Sequence, residues 1–256
     1  MKRMPVLFVG HGSPMNAIEE NEFRSAWIKL GPTLPRPEAI LSVSAHWFTP
    51  GTKVLTADPP QTIYDMYGFP EELYRVVYSA PGAPALAHKT KELITSREVD
   101  PDSFWGLDHG TWSVLCNLYP KADIPVFQLS IDMDAPMEEH FKIGTQLQSL
   151  RDQGVLIMGS GNVVHNLARV NWRMEGGYDW AEDFDLYIKQ SVLNRDFDNV
   201  IDYKRAGNSA SLAFKSIDHY APLLYALGAA EDSQKISVFN DACQLGSISM
   251  TSYLLE

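Results

Sequence analysis

The chain has 256 residues, of which 45% are hydrophobic and 21% charged, a globular composition long enough for one large domain or two small ones. Its formal net charge is -11, with the acids spread along the chain and no basic cluster, which disfavours nucleic-acid binding because phosphate contacts need Lys and Arg. No apolar run approaches the ~18 residues that a membrane span requires, so no membrane partner is expected.

The opening "MKRMPVLFVG" weakly imitates a signal peptide, but its apolar part is only "PVLFV" and no small-residue cleavage site follows. It reads as a first strand, and the protein is expected to be cytoplasmic. In "VGHGSP" that strand runs into His11, held between Gly10 and Gly12. A metal ligand, a catalytic base and a phosphate loop are the three readings of that histidine. The phosphate loop is excluded, because no Lys-Ser or Lys-Thr follows.

"EAILSVSAHW" is a second apolar run and carries His46 at its end. "TADPPQTIYDMYGFPEELY", residues 56–74, is a long connection rich in Pro and Tyr, either a wall of a binding site or a plain surface loop. "PALAHKTKELITS" has helical periodicity, with His88 on its solvated face. His109 falls in "WGLDHGTW", which reads as a loop. "IPVFQLSI" is a third strand. "APMEEHFKIGTQLQSLRDQG" is a helix with a stripe at Met137, Phe141, Gly144 and Leu147, acids in its first turn and Gly154 beyond its end. His140 sits beside that stripe and reads as an ordinary surface histidine.

"GVLIMGSG" is a fourth strand, with His165 just after it in "SGNVVHNL". Its GxG lacks the third glycine of a dinucleotide site, since Val164 stands there. "WAEDFDLYIKQSVL" and "APLLYALGAA" are helices, the second preceded by His219 in "IDHYAP". "KISVFN" and "SISMTSYLL" are closing strands. Strands alternating with helices predict one α/β domain over residues 1–256, with a central mixed, mostly parallel sheet flanked by helices. Cys116 and Cys243 form no CxxC pair and are expected to be free and buried, so a thiolate zinc site is not expected. No GxSxG is present.

Three histidines beyond strand carboxyl ends mark the edge where open α/β sheets bind ligands. Imidazole is both the commonest metal-ligand side chain and the usual general base near neutral pH. A metal centre follows as a hypothesis from these residues alone.

The five segments "GHGSPMN", "SAHWF", "DHGTW", "SGNVVHNL" and "DHYAPLLY", in this order, resemble the class III extradiol ring-cleavage dioxygenases of the LigB type, most closely the 4,5-DOPA dioxygenase-like subgroup. The resemblance spans roughly residues 5–253. It implies one divalent metal at the strand carboxyl ends, Fe(II) for dioxygenase activity or Zn(II) as found in relatives. It makes His11, His46 and His219 metal ligands, and His165 the acid/base residue or a fourth ligand. His109 becomes a second catalytic histidine that hydrogen-bonds a substrate or oxygen atom and stabilises charge there.

Ser13, Trp47, Phe48 and Trp112 are candidate pocket residues, and Ser13, Asp108 and Asn162 are candidates for orienting imidazoles. The implied substrates are a small aromatic diol and O2. The implied reaction opens the ring beside the diol, by 4,5-cleavage for a DOPA-like substrate, to a muconic semialdehyde-type product. The branch of this class that cleaves protocatechuate uses a glutamate where this chain has His219, which removes one negative charge and makes zinc a plausible occupant. A zinc hydrolase on the same histidines and a non-catalytic protein binding an aromatic ligand are the alternatives. A monomer or small homo-oligomer is expected.

Overall fold

A computed structural model describes residues 3–256. Met1 and Lys2, which belong to the signal-like opening, lie outside the described residues. The elements in chain order are β1 (Val6–Gly10), α1 (Glu22–Leu30), β2 (Ala39–Thr49), β3 (Thr52–Leu55), α2 (Pro84–Leu93), β4 (Val99–Asp102), α3 (His109–Leu118), β5 (Val126–Asp132), α4 (Met137–Gln146), β6 (Val155–Gly161), α5 (Asp179–Asn194), α6 (Phe197–Ile201), α7 (Ala210–Ala213), α8 (Ala221–Ala229), β7 (Ile236–Phe239), β8 (Cys243–Gln244), β9 (Ile248–Ser249) and β10 (Ser252–Leu255).

Eight strands form one sheet in the order β4-β3-β5-β2-β6-β1-β10-β7. The central strands β5, β2, β6 and β1 are mutually parallel, and β10 and β7 add on antiparallel. Alternate side chains of each central strand enter different cores. Val6, Phe8, Leu41, Val43, Val155 and Ile157 face one helical layer. Leu7, Val9, Ile40, Leu156 and Met158 face the other. Burial on both faces is why these strands read as continuous apolar runs rather than as alternating ones. The fold is therefore the mixed α/β domain that the sequence predicts, and no helix among the described residues is long and apolar enough to cross a membrane.

Several elements go beyond the sequence expectations, notably α1, β3, β4 and α3. The segment "DHGTW" is not a loop: Asp108 caps α3, accepting from the Thr111 amide, and His109 is the first helical residue. "SISMTSYLL" is two short strands, broken at Met250 and Thr251. Cys116 and Cys243 are free, the first half-buried and the second buried. His88 is exposed, as expected.

His140 is not a surface residue. It is fully buried, and Nδ1 lies 3.0 Å from the Tyr225 hydroxyl of α8. The buried face of α4 comprises His140, Ile143 and Gly144, continued by the C-cap residue Leu147, whereas Met137 and Phe141 are only partly covered. The stripe is thus rotated by part of a turn from the expected one.

Burial lowers the His140 pKa to about 4 from the usual 6.5. The unfolded chain then binds a proton between those values that the folded chain does not. His140 consequently favours the unfolded state as pH falls through that window, by roughly 3 kcal/mol at its lower end. Denaturant titrations from pH 7 to 4 should show His140→Gln losing stability less steeply than the wild-type chain. Parallel slopes would contradict this assignment.

Candidate metal centre

Four histidines converge at the carboxyl-terminal edge of the parallel strands, and a fifth stacks on one of them. His11 follows β1 directly. Gly12 beside it has φ of +60°, and a Cβ there would stand 2.4 Å from the Met250 sulfur. A non-glycine residue at that position would meet both backbone strain and a clash. His46 lies near the end of β2, and His109 opens α3. His219 precedes α8, where its carbonyl accepts from the Asn162 amide just beyond β6 at 2.8 Å. Gly161 makes that approach possible, since a Cβ there would lie 2.1 Å from the His219 oxygen. The His165 amide bonds the Ala213 carbonyl at 2.8 Å, between β6 and α8.

Each of the four convergent imidazoles has an oxygen at Nδ1. The Ser160 hydroxyl is 3.0 Å from Nδ1 of His11 and donates its hydrogen to the Gly110 carbonyl at 2.6 Å. Its oxygen must therefore accept from His11. Asp65 Oδ2 lies 3.0 Å from Nδ1 of His46 and 3.0 Å from Nδ1 of His109. Asp218 Oδ2 lies 2.6 Å from Nδ1 of His219. A carboxylate only accepts, so with neutral rings every Nδ1 carries the hydrogen and every Nε2 is a bare lone pair. The Nε2 atoms of His11 and His46 are 3.2 Å apart. Two lone pairs at that distance repel unless a cation lies between them, and imidazoles backed by carboxylates are the usual surroundings of a bound metal.

Ligand atoms of His11, His46 and His109 gather within 4.8 Å of one another, a cluster that fits a metal ion. Ring spacing distinguishes two triads that share the edge between His11 and His46. The His11–His46, His11–His219 and His46–His219 centroids are 5.1, 5.2 and 4.9 Å apart. Three imidazoles on one tetrahedral ion at metal–nitrogen distances of 2.0–2.1 Å place their centroids about 5 Å apart. The His46 and His109 centroids are only 3.7 Å apart. That is shorter than the roughly 4.5 Å that even a right-angled pair of ligands requires at such bond lengths. The rings of His11, His46 and His219 are spaced as those of three ligands would be, whereas the ligand atoms that gather within 4.8 Å of one another are those of His11, His46 and His109.

His165 stacks on His219 with centroids 3.5 Å apart and planes 5° from parallel. Among the described residues no side chain bonds its ring nitrogens. Burial lowers its pKa to about 4, so it is neutral and able to accept a proton at neutral pH. Burial, and then the neighbouring imidazoles, push His11 and His219 well below the usual histidine range. Burial opposes protonation of His46, but the Asp65 bond and the Asp108 charge outweigh it and raise its pKa. In His109 burial and the proximity of His46 prevail over Asp65, and the pKa falls. A neutral His109 with hydrogen on Nδ1 turns a lone pair to the site. It is thus equipped to accept a hydrogen bond from a hydroxyl group.

Other candidates are placed differently. Trp112 is fully buried and donates from Nε1 to the Ile63 carbonyl at 2.9 Å, which makes it an anchor of the 56–74 loop rather than a pocket wall. Trp47 is 2% exposed and stacks on Trp105 in the same core. Phe48 packs partly covered against the opposite core. Ser13 caps a short 3-10 turn by accepting from the Met15 amide. Asp108 accepts from Ser44 at 2.6 Å and Gln128 at 2.7 Å, so it seats the start of α3 rather than an imidazole. Asn162 acts on His219 through its backbone amide, while its side chain holds the Ser249 carbonyl at 2.7 Å.

The groups that do orient the imidazoles, Asp65, Ser160 and Asp218, were not singled out from the sequence. Asp218 and Ser160 lie inside quoted motifs. Asp65 lies in the loop that the sequence leaves open as wall or surface, and it makes that loop a wall of the site.

A family model described as the catalytic LigB subunit of aromatic ring-opening dioxygenase matches residues 8–255. The chain is 46% identical over 258 residues to the 4,5-DOPA dioxygenase extradiol of Escherichia coli, covering 98% of this chain and 94% of that protein. It is 37% identical to the Beta vulgaris protein of the same name, covering 96% and 94%. A crystal structure of an uncharacterized Escherichia coli K12 protein superposes with a TM-score of 0.87 at 42% identity, covering 99% of this chain and all of that one.

Replacing Ser160 by alanine leaves the His11 Nδ1 hydrogen without its acceptor. Competition titrations against a chromophoric chelator should show Zn(II) affinity reduced about ten- to a hundredfold, with the far-UV circular dichroism spectrum unchanged. Unaltered affinity would contradict the role given to Ser160.

Proposed function

This chain belongs to the LigB family of aromatic ring-opening dioxygenases, and from that membership we propose that it opens a DOPA-like catechol by 4,5-cleavage. The family is one of oxidoreductases, which sets the zinc-hydrolase alternative aside. The observation that carries the reading is the convergence of bare Nε2 atoms, two of them 3.2 Å apart, beside an unpartnered neutral histidine. The names of the Escherichia coli and Beta vulgaris relatives support DOPA as the substrate type.

His11, His46 and His219 would hold the ion through Nε2, at the place a catechol would approach. Fe(II) would be the working ion, and Zn(II) could occupy the same ligands. When bound, Fe(II) supplies Lewis acidity toward a chelating diol and an electron path from the diol to dioxygen. Asp65 and Asp218, behind His46 and His219, restore at one remove the negative charge that three neutral imidazoles lack.

His165 accepts a hydroxyl proton from the catechol at a free ring nitrogen and returns a proton as the ring opens. His109 accepts a hydrogen bond from the second hydroxyl at Nε2 and so fixes which carbon–carbon bond lies beside the reacting oxygens. One ring bond breaks, both atoms of O2 enter the product, and an aldehyde and a carboxylate result. This is the semialdehyde-type product expected from the sequence.

Metal-free protein reconstituted anaerobically with Fe(II) and then given air should consume one O2 per catechol. A yellow chromophore should form fastest with L-DOPA, ahead of caffeate and protocatechuate. His165→Ala should lower kcat by about a hundredfold or more while retaining iron, whereas His11→Ala should lose the iron. Absence of oxygen uptake across the panel would overturn the proposed reaction. Faster cleavage of protocatechuate would overturn the substrate.

A further inference from the structure

Asp65 lies outside all five motifs that carry the family resemblance, on the long connection between β3 and α2. Its carboxylate is nonetheless fully engaged in the site. Oδ2 is 3.0 Å from Nδ1 of His46 and 3.0 Å from Nδ1 of His109, and Oδ1 accepts the His109 backbone amide at 2.9 Å. The side chain is 17% exposed.

Two N–H donors converging on one oxygen are held more strongly by a carboxylate than by a neutral acceptor. Both imidazoles must then carry hydrogen on Nδ1, and each presents a bare Nε2 when neutral. Asp108, the sequence neighbour of His109, cannot take this part, because Ser44, Gln128 and the Thr111 amide already occupy its oxygens.

We propose that Asp65 is a positioning residue that locks His46 and His109 into one tautomer and one orientation, so that a metal-facing and a substrate-facing imidazole work as a unit. The seating of the loop thereby becomes part of the metal site. The role in metal binding rests on the reading of His46 as a ligand, whereas the tautomer lock does not. The loop has other anchors. Trp112 donates to the Ile63 carbonyl, the Tyr64 hydroxyl to the Val76 carbonyl at 2.8 Å, and the Gly82 amide to Asp58 at 2.9 Å. Loss of the Asp65 charge alone therefore leaves the loop attached, and a purely structural carboxylate would leave the tautomers of both rings unchanged on removal.

The test uses metal-free protein with 15N-labelled histidines at pH 8, read by long-range 1H–15N correlation of the ring nitrogens. In the wild-type chain His46 and His109 should both appear as the Nδ1–H tautomer. In Asp65→Asn, and independently in Asp65→Ala, both should shift together toward Nε2–H, while His11 and His219 keep their tautomers.

Titration with Co(II), followed by its visible absorption, should show affinity lowered about ten- to a hundredfold in either variant, at an unchanged near-UV circular dichroism spectrum. Unmoved His46 and His109 resonances, or a change in only one of them, would overturn the proposal. Unchanged Co(II) affinity in the variants would likewise overturn the link from Asp65 to the metal site. Tautomer shifts in the variants, together with a wild-type protein that binds no Co(II), would support the tautomer lock while overturning the reading of His46 as a ligand.

Discussion

The hydrogen on each site imidazole is held on the side away from the centre, and the rest of the site depends on that constraint. Ser160, Asp65 and Asp218 each take an Nδ1–H, which leaves lone pairs facing inward. Two such lone pairs 3.2 Å apart are unfavourable in a protein interior without a cation. The arrangement is thus pre-organised for an ion, and the cost of gathering buried nitrogens is offset when one binds. The same orientation makes His109 an acceptor, and among the described residues it leaves His165 as the one histidine of the group with no oxygen partner for its ring.

The fold supplies this geometry through its parallel centre. β1, β2 and β6 run side by side, and their carboxyl ends bring His11, His46 and the segment leading to His165 to one edge. The opposite layers bring the remainder. α3 is seated on β2 and β5 by the buried cluster of Ser42, Ser44, Asp108, Thr111 and Gln128, which places His109. The segment before α8 is drawn to the end of β6 by the Asn162 amide, which places His219. The glycines around the site serve close packing as much as turning. Gly10 lies against the Met250 backbone, and Gly161 against the His219 carbonyl.

The core strands were legible in the sequence because burial on both faces leaves uninterrupted apolar runs. The site histidines were legible because His11 and His165 stand past strand ends and His46 stands near the end of β2. α3 was hidden, since nearly every residue of it is buried and a helix buried all round shows no amphipathic period. His140 was misplaced because the stripe read on α4 included Met137 and Phe141, which flank the buried face, beside the buried Gly144 and Leu147.

Trp47 and Trp112 were read as pocket residues by their nearness in sequence to His46 and His109. A strand or helix turns neighbouring side chains to different sides, and both tryptophans face the core. Asp65 carried no local signal. Its partners lie 19 and 44 residues away in the chain, and only the tertiary fold brings them together.

The central claim is that the inward Nε2 atoms of His11, His46 and His219 hold one divalent ion that a catechol can chelate. An anomalous-diffraction crystal structure of the Co(II)-loaded protein, grown without oxygen and soaked with a catechol, tests it most directly. The account predicts a single ion bonded to those three Nε2 atoms and to both catechol oxygens, with His165 in reach of one of them. An ion bound through Nδ1, a site that omits His219, or a catechol bound away from the metal would contradict it.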